Sequence, residues 1–232
     1  MSQSHSELLG TRRRFLKMGV VGGVAGLLCS GLELAMPPLL GAQTTMTPAA
    51  ALDDLMAGNK RFVAGQFTGC GSNIVERRRQ TANKQEPFAA VLTCADSRVP
   101  AEIVFDKCIG DLFVSRVAGN MITSEIIGSL EYGAAVLGTK VILVLGHANC
   151  GAVKAAMHGE SVPGQISSLY PHLQAAVNQA GGDLQAAIKA NAKIQATLLS
   201  ESSTVIAGMV KDNKIKVVAG YYDLESGAVT LL

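Results

Sequence analysis

Two short motifs carry residues able to do chemistry. One is Cys94-Ala95-Asp96-Ser97-Arg98 and the other is His147-Ala148-Asn149-Cys150-Gly151. Two thiolates and an imidazole are soft-to-borderline donors that suit Zn2+. A Cys2His set fills three tetrahedral positions and leaves the fourth for water or substrate, the pattern of a catalytic rather than a structural site. Zinc lowers the pKa of its water from about 15.7 to about 7, less strongly with thiolate donors, and so supplies a hydroxide nucleophile near neutral pH. Asp96 and Arg98 lie two residues apart in one loop. A bidentate Arg98 pair keeps the Asp96 carboxylate ionised and off the cation. Asp96 can then accept a hydrogen bond from the hydroxide and orient its lone pair.

These motifs need elements that bring them together. Residues 88–93 form a short apolar run after Pro87 and end at Cys94. Residues 141–145 read Val-Ile-Leu-Val-Leu without a break and end at Gly146-His147. Further strands are expected over 111–117, 214–222 and 228–232, the last two joined by a turn at Glu225-Ser226-Gly227. Helices are expected over 124–137, 150–157 and 164–179, and over one long stretch from Asp183 to about 210. Continuous apolar strands alternating with helices imply an α/β fold, with a mainly parallel central sheet flanked by helices. Ligands of such sheets sit beyond the carboxyl ends of the strands, so both motifs are expected at one rim. Cys150 opens a helix, whose positive end favours its thiolate.

Two N-terminal helices precede this body, over 47–66 and 73–84. Neither has enough apolar face for a core of its own. They read as an arm that packs on something else, such as a second subunit.

Composition narrows the classes. With 232 residues, 48% hydrophobic and 16% charged, the chain has the makings of one domain rather than a disordered segment. A net charge of +2 and no basic stripe exclude a basic nucleic-acid binder. Five Cys are too few for a disulfide scaffold. Cys70 and Cys108 are expected to be two separate buried thiols, although an exported protein would allow them to pair.

Residues 1–42 read as an address, and 43–232 as the functional domain. Arg12-Arg13-Arg14-Phe15-Leu16-Lys17 precedes a Gly-rich apolar run, and Pro37-Pro38 leads to the small pair Gly41-Ala42. This resembles the twin-arginine signal of bacterial export. Removing four of 20 basic and two of 18 acidic groups leaves 16 of each, so the basicity belongs to the signal. The expected location is outside the cytoplasm, in the periplasm, with the export machinery as a partner. An uncut signal would make a membrane anchor, but the apolar run is short for a span of roughly 20 residues. Leu28 before Cys29 argues against lipidation.

Cys-Ala-Asp-Ser-Arg followed by His-x-x-Cys-Gly resembles the β-class carbonic anhydrases, from about Ala49 to the C-terminus. The resemblance implies zinc on Cys94, His147 and Cys150, an Asp96–Arg98 dyad, and reversible hydration of CO2 to bicarbonate and a proton. It implies substrate contacts from Gln85, across a dimer interface, and from Gly151. Arg116, Gly119 and Asn120 are similar to a family segment lining the site. The two N-terminal helices resemble the family's arm, which wraps a partner in a homodimer or higher oligomer. In some members an Asp closes the site at low pH by binding zinc, with bicarbonate in an allosteric pocket built on a Trp. Asp96 is the residue for such an inactive state here. Val91 stands where that Trp would be and the chain has no Trp, which argues against that pocket. Two alternatives share the motifs: a hydrolase of carbon disulfide or carbonyl sulfide, and a non-catalytic zinc- or bicarbonate-binding protein.

Overall fold

Every residue of the Val-Ile-Leu-Val-Leu run is apolar because the strand it forms is covered on both faces. That strand is β3 (Val141–His147), at the centre of a five-stranded sheet. The computed structural model describes residues 44–70 and 73–232. The segment expected as a signal, residues 1–42, lies outside the described residues. Among those described, no helix is long and apolar enough to cross a membrane.

The elements follow in chain order as α1 (Pro48–Val63), α2 (Ile74–Thr81), β1 (Ala89–Thr93), the short α3 (Ala101–Val104), β2 (Leu112–Arg116) and α4 (Ser124–Glu131). After β3 come α5 (Gly151–His158), α6 (Tyr170–Gln179), α7 (Leu184–Ser202), α8 (Thr204–Lys211), β4 (Lys216–Tyr222) and β5 (Val229–Leu231). The sheet order is β2-β1-β3-β4-β5. All neighbours are parallel except β5, which returns antiparallel on β4. The expected α/β architecture is observed.

Side chains alternate between the two faces of the sheet. Ala89, Val91, Val141, Leu143 and Leu145 meet α1 and α3 on one face. Ala90, Leu92, Ile142 and Val144 meet α4, α7 and α8 on the other. All of β1 and β3 is buried.

Two helical expectations need correction, and one short helix was not expected. The long helix after Asp183 is two helices, α7 and α8, broken at Ser203. Ser203 has extended backbone there, and its hydroxyl accepts the Ile206 N–H and donates to Glu131. A serine that can cap makes such a break favourable inside an apolar pattern. The helix expected over 124–137 is α-helical only to Glu131 and continues as one π turn over Tyr132–Val136. The short α3 was not anticipated, since four residues carry no period.

The arm is also corrected in part. α1 docks on its own chain, with Ala51 and Leu55 fully buried against the sheet. Buried Asn59 fastens it: its amide donates to the Val104 and Gly227 carbonyls, and its Oδ1 accepts the Val229 N–H. Gly58 makes the approach possible, because a Cβ there would lie 1.8 Å from the Phe105 carbonyl oxygen. α2 has no buried residue, and its Ile74 and Val75 are exposed.

Between α1 and α2, Cys70 forms a disulfide with Cys108, which corrects the expectation of two separate thiols. The neighbouring Asp106 explains how the chain is held for it. Its carboxylate accepts N–H groups of Thr68 and Gly69, the Thr68 hydroxyl and the Arg61 guanidinium. Burial alone would raise the Asp106 pKa, but these donors outweigh it and hold the pKa below the usual carboxylate value.

Candidate metal centre and active site

Register brings the two motifs together. Thr93 of β1 is level with Leu145 of β3. Cys94 directly follows the end of β1 and His147 is the last residue of β3, two places past Leu145, so both stand at one rim of the sheet. Asn149 turns the chain with φ +53°, and Cys150 caps the start of α5. The ligand atoms of Cys94, His147 and Cys150 lie within 4.8 Å of one another, and all three residues are buried. This set could hold a metal ion.

Two observations test the fit. The Cys94 and Cys150 sulfurs are 4.0 Å apart. A tetrahedron with metal–sulfur bonds of about 2.3 Å needs an edge of about 3.8 Å. The His147 ring supplies the second observation. Its Nδ1 sits 2.9 Å from the Ala148 carbonyl, which can only accept, so Nδ1 carries the proton. Nε2 is then a bare lone pair, buried and without a hydrogen-bond partner among the described residues. A backbone carbonyl behind a metal-binding imidazole orients the ring in this way.

The sulfurs behave as one pair. The Cys150 S–H donates to Cys94 and lowers its pKa strongly, against the cost of burial. The backbone N–H groups of Gly119 and Asp96 act in the same direction. Cys150 is pushed up by its Cys94 partner and by burial, although the N–H groups of Val153 and Ala152 at the helix start pull the other way. The helix-start contribution expected for Cys150 is present in these two N–H bonds, while its sulfur partner and burial act against it. A divalent cation would draw both sulfurs to the thiolate form.

Asp96 and Arg98 form the expected pair. Arg98 Nε donates to Oδ1 at 2.9 Å and Nη2 to Oδ2 at 2.7 Å, and the Arg98 N–H also meets Oδ1 at 2.9 Å. These bonds hold the Asp96 pKa far below the usual carboxylate range. Oδ2 stands 3.8 Å from His147 Nε2, so the anchored carboxylate borders the donor cluster.

Arg116 does more than line the site. Its guanidinium donates to the Cys94 and Asp96 carbonyls and so ties both motif residues to β2. Gly119 N–H points at Cys94 Sγ at 3.4 Å. Buried Asn191 and Gln195 of α7 stand behind this segment and were not anticipated. Two amides one helical turn apart in an otherwise Ala-rich helix were the available signal.

The structure does not bring Gln85 to the cluster. Gln85 is exposed in the loop before β1, while Cys94 follows the far end of that strand. Five residues at about 3.3 Å each separate the two ends. Gln85 therefore does not reach the cluster of its own chain. Gly151 begins α5 and is exposed, and a Cβ there would meet nothing within 4 Å.

A family model described as carbonic anhydrase matches residues 89–229. The chain is similar to carbonic anhydrase 2 of Mycobacterium tuberculosis, with 50% identity over 110 residues, 47% of this chain and 53% of that protein. The carbonic anhydrase of Mycolicibacterium smegmatis is 50% identical over the same shares of the two chains. The chain thus spans about half the length of these two curated relatives. The solved β-carbonic anhydrase CafA of Aspergillus fumigatus has the same fold, with a TM-score of 0.64, 23% identity, and coverage of 78% of this chain and 90% of that one. With more than half of the chain matched and the Cys/His/Cys cluster at the matched strand ends, this chain belongs to the carbonic anhydrase family and has the β-class fold.

Proposed function

We propose that this chain is a zinc-dependent carbonic anhydrase that interconverts CO2 and water with bicarbonate and a proton. One observation carries the reading. The buried lone pair of His147 Nε2 and the two sulfurs form three corners of a tetrahedron, beside a carboxylate that Arg98 keeps ionised and directed. Zinc bound to Cys94, His147 and Cys150 would supply a Lewis acid that makes water acidic near neutral pH.

The other roles belong to the chain's own groups. Asp96 accepts a hydrogen bond from the reacting water and orients it. Arg98 holds Asp96 off the cation, and its release would let Asp96 close the site as a further ligand. Gly151 leaves room beside the donor cluster for substrate. Gln85 of a partner subunit orients CO2 across a dimer interface. The exposed apolar side chains of Phe67, Ile74, Val75 and Ile103 support such an interface.

Export belongs to the same reading. The twin-arginine-like segment supports a periplasmic location, and so does the Cys70–Cys108 disulfide, since disulfides persist in oxidising compartments.

Stopped-flow CO2 hydration across pH 6–9 tests the activity, on zinc-loaded protein beside Cys150→Ser. The reading expects a rate that rises with pH and is lost in the variant. Zinc bound at one per chain with no hydration would overturn it. Turnover of carbon disulfide or carbonyl sulfide would then indicate the sulfur-substrate enzyme, and no turnover a binding protein.

A further inference from the structure

Asn191 and Gln195 lie one turn apart on α7, and each is only 1% exposed. Buried amides must satisfy their donors and acceptors or cost stability. Here every bond points one way. Gln195 Oε1 accepts the Ile122 N–H at 2.8 Å. Gln195 Nε2 donates to the His172 carbonyl and to Asn191 Oδ1. Asn191 Nδ2 donates to the Gly119 carbonyl at 2.8 Å. Backbone carbonyls only accept and backbone N–H groups only donate, so these partners fix the orientation of both amides.

The two amides therefore grip the chain at Gly119 and at Ile122. Between these grips, and within the segment they hold, the backbone takes a strained course. Gly119 has φ +79° and Asn120 has φ +42°, in the left-handed region that a non-glycine residue rarely enters. That course turns the Gly119 N–H toward Cys94 Sγ at 3.4 Å. The same residue whose carbonyl is held by Asn191 thus gives its N–H to a sulfur of the donor cluster.

We propose that Asn191 and Gln195 are positioning residues that aim the Gly119 N–H at the Cys94 thiolate and so set how strongly that sulfur donates to the metal. A hydrogen bond to a ligating thiolate withdraws electron density from it, which leaves the metal a stronger Lewis acid. The inference rests on the metal reading above.

Cobalt(II) in place of zinc provides a readout other than activity, through its thiolate-to-metal charge-transfer band. Four proteins are compared: the unmodified chain, Asn191→Leu, Gln195→Met and Leu199→Ala. Leu199 is fully buried on the same helix and takes no part in the amide bonds, so its variant reports loss of packing alone. Both amide variants are expected to shift the band to lower energy. Cobalt affinity should fall about 10–100-fold because Cys94 loses a partner that holds it in place, which outweighs the stronger donation of its sulfur. Leu199→Ala is expected to lower Tm while band and affinity stay in place. An unmoved band and affinity in the amide variants, or an equal shift in Leu199→Ala, would overturn the inference.

A second measurement needs no variant and so survives a failure of any of them to fold. With cadmium-113 bound, coupling between the Gly119 amide proton and the metal through the Cys94 sulfur is expected, and its absence would overturn the inference. An unmodified chain with no charge-transfer band at all would instead contradict the metal reading.

Discussion

Removing the Cys70–Cys108 bridge by Cys70→Ser and Cys108→Ser together should cost far more than an ordinary surface change. The two cysteines are 38 residues apart in sequence. Closing a loop of that length restricts the unfolded chain by about 4 kcal/mol in the chain-entropy description. For a domain of this size, each kcal/mol moves Tm by roughly 2–4 °C, so the expected fall is about 8–16 °C. The Asp106 bonds to Thr68 and Gly69 remain in the variant, so the loss reports the sulfur bond itself. The effect should also be local. α2 buries no residue and is fastened by the Arg77–Asp111 ion pair and the Arg77 contact to the Ile109 carbonyl, both next to Cys108. Denaturant unfolding at fixed protein concentration, with and without reductant, gives the first number. Hydrogen exchange over 74–81 gives the second, and faster exchange there is expected. Five titratable thiols in the unfolded, unmodified chain instead of three, or equal stability with and without reductant, would refute the bridge and the reasoning built on it.

Further outcomes follow from other contacts. Leu55→Ala should lose about 2–5 kcal/mol in denaturant unfolding, because fully buried Leu55 docks α1 on its own sheet; a loss under about 0.5 kcal/mol would place α1 elsewhere. Asp106 has a folded pKa below its unfolded value of about 3.9. Its contribution is therefore present above that value and is lost as pH falls through the folded pKa. Stability measured from pH 7 downward should fall more steeply below about pH 4 in the unmodified chain than in Asp106→Asn, and parallel curves would contradict this. Arg98→Lys replaces a two-pronged hold on Asp96 with a point charge. It should lower kcat/KM for CO2 hydration by about 10²-fold at unchanged zinc content, and an unchanged kcat/KM would remove Asp96 orientation from the account.

Much of the candidate site was legible because strand ends and motif spacing are local signals. The apolar runs ending at Cys94 and at His147 marked two strands, and a parallel sheet has one carboxyl rim for both. The Asp96–Arg98 pair was legible because two residues in one loop can reach each other. What escaped depended on long-range contacts. The disulfide needs Cys70 and Cys108 brought together by Asp106, whose partners are 37 and 38 residues away. The docking of α1 depends on Asn59 meeting a chain segment 168 residues later. The weak apolar face of that helix was read as a sign of a partner, when small residues such as Ala51 and Gly58 allow close packing at home. The break at Ser203 was hidden because the apolar period continues from α7 into α8. Asn191 and Gln195 gave only a faint signal, since their partners are backbone groups.

The central claim is that the Cys94, His147 and Cys150 cluster builds a site for CO2 hydration. Oxygen-18 exchange between labelled bicarbonate, CO2 and water, followed by mass spectrometry at chemical equilibrium, tests it most directly. The account predicts rapid loss of label from CO2 with the zinc-loaded chain and the uncatalysed rate with Cys94→Ser or Cys150→Ser. Exchange at the uncatalysed rate in the zinc-loaded chain, or undiminished exchange in both variants, would contradict it.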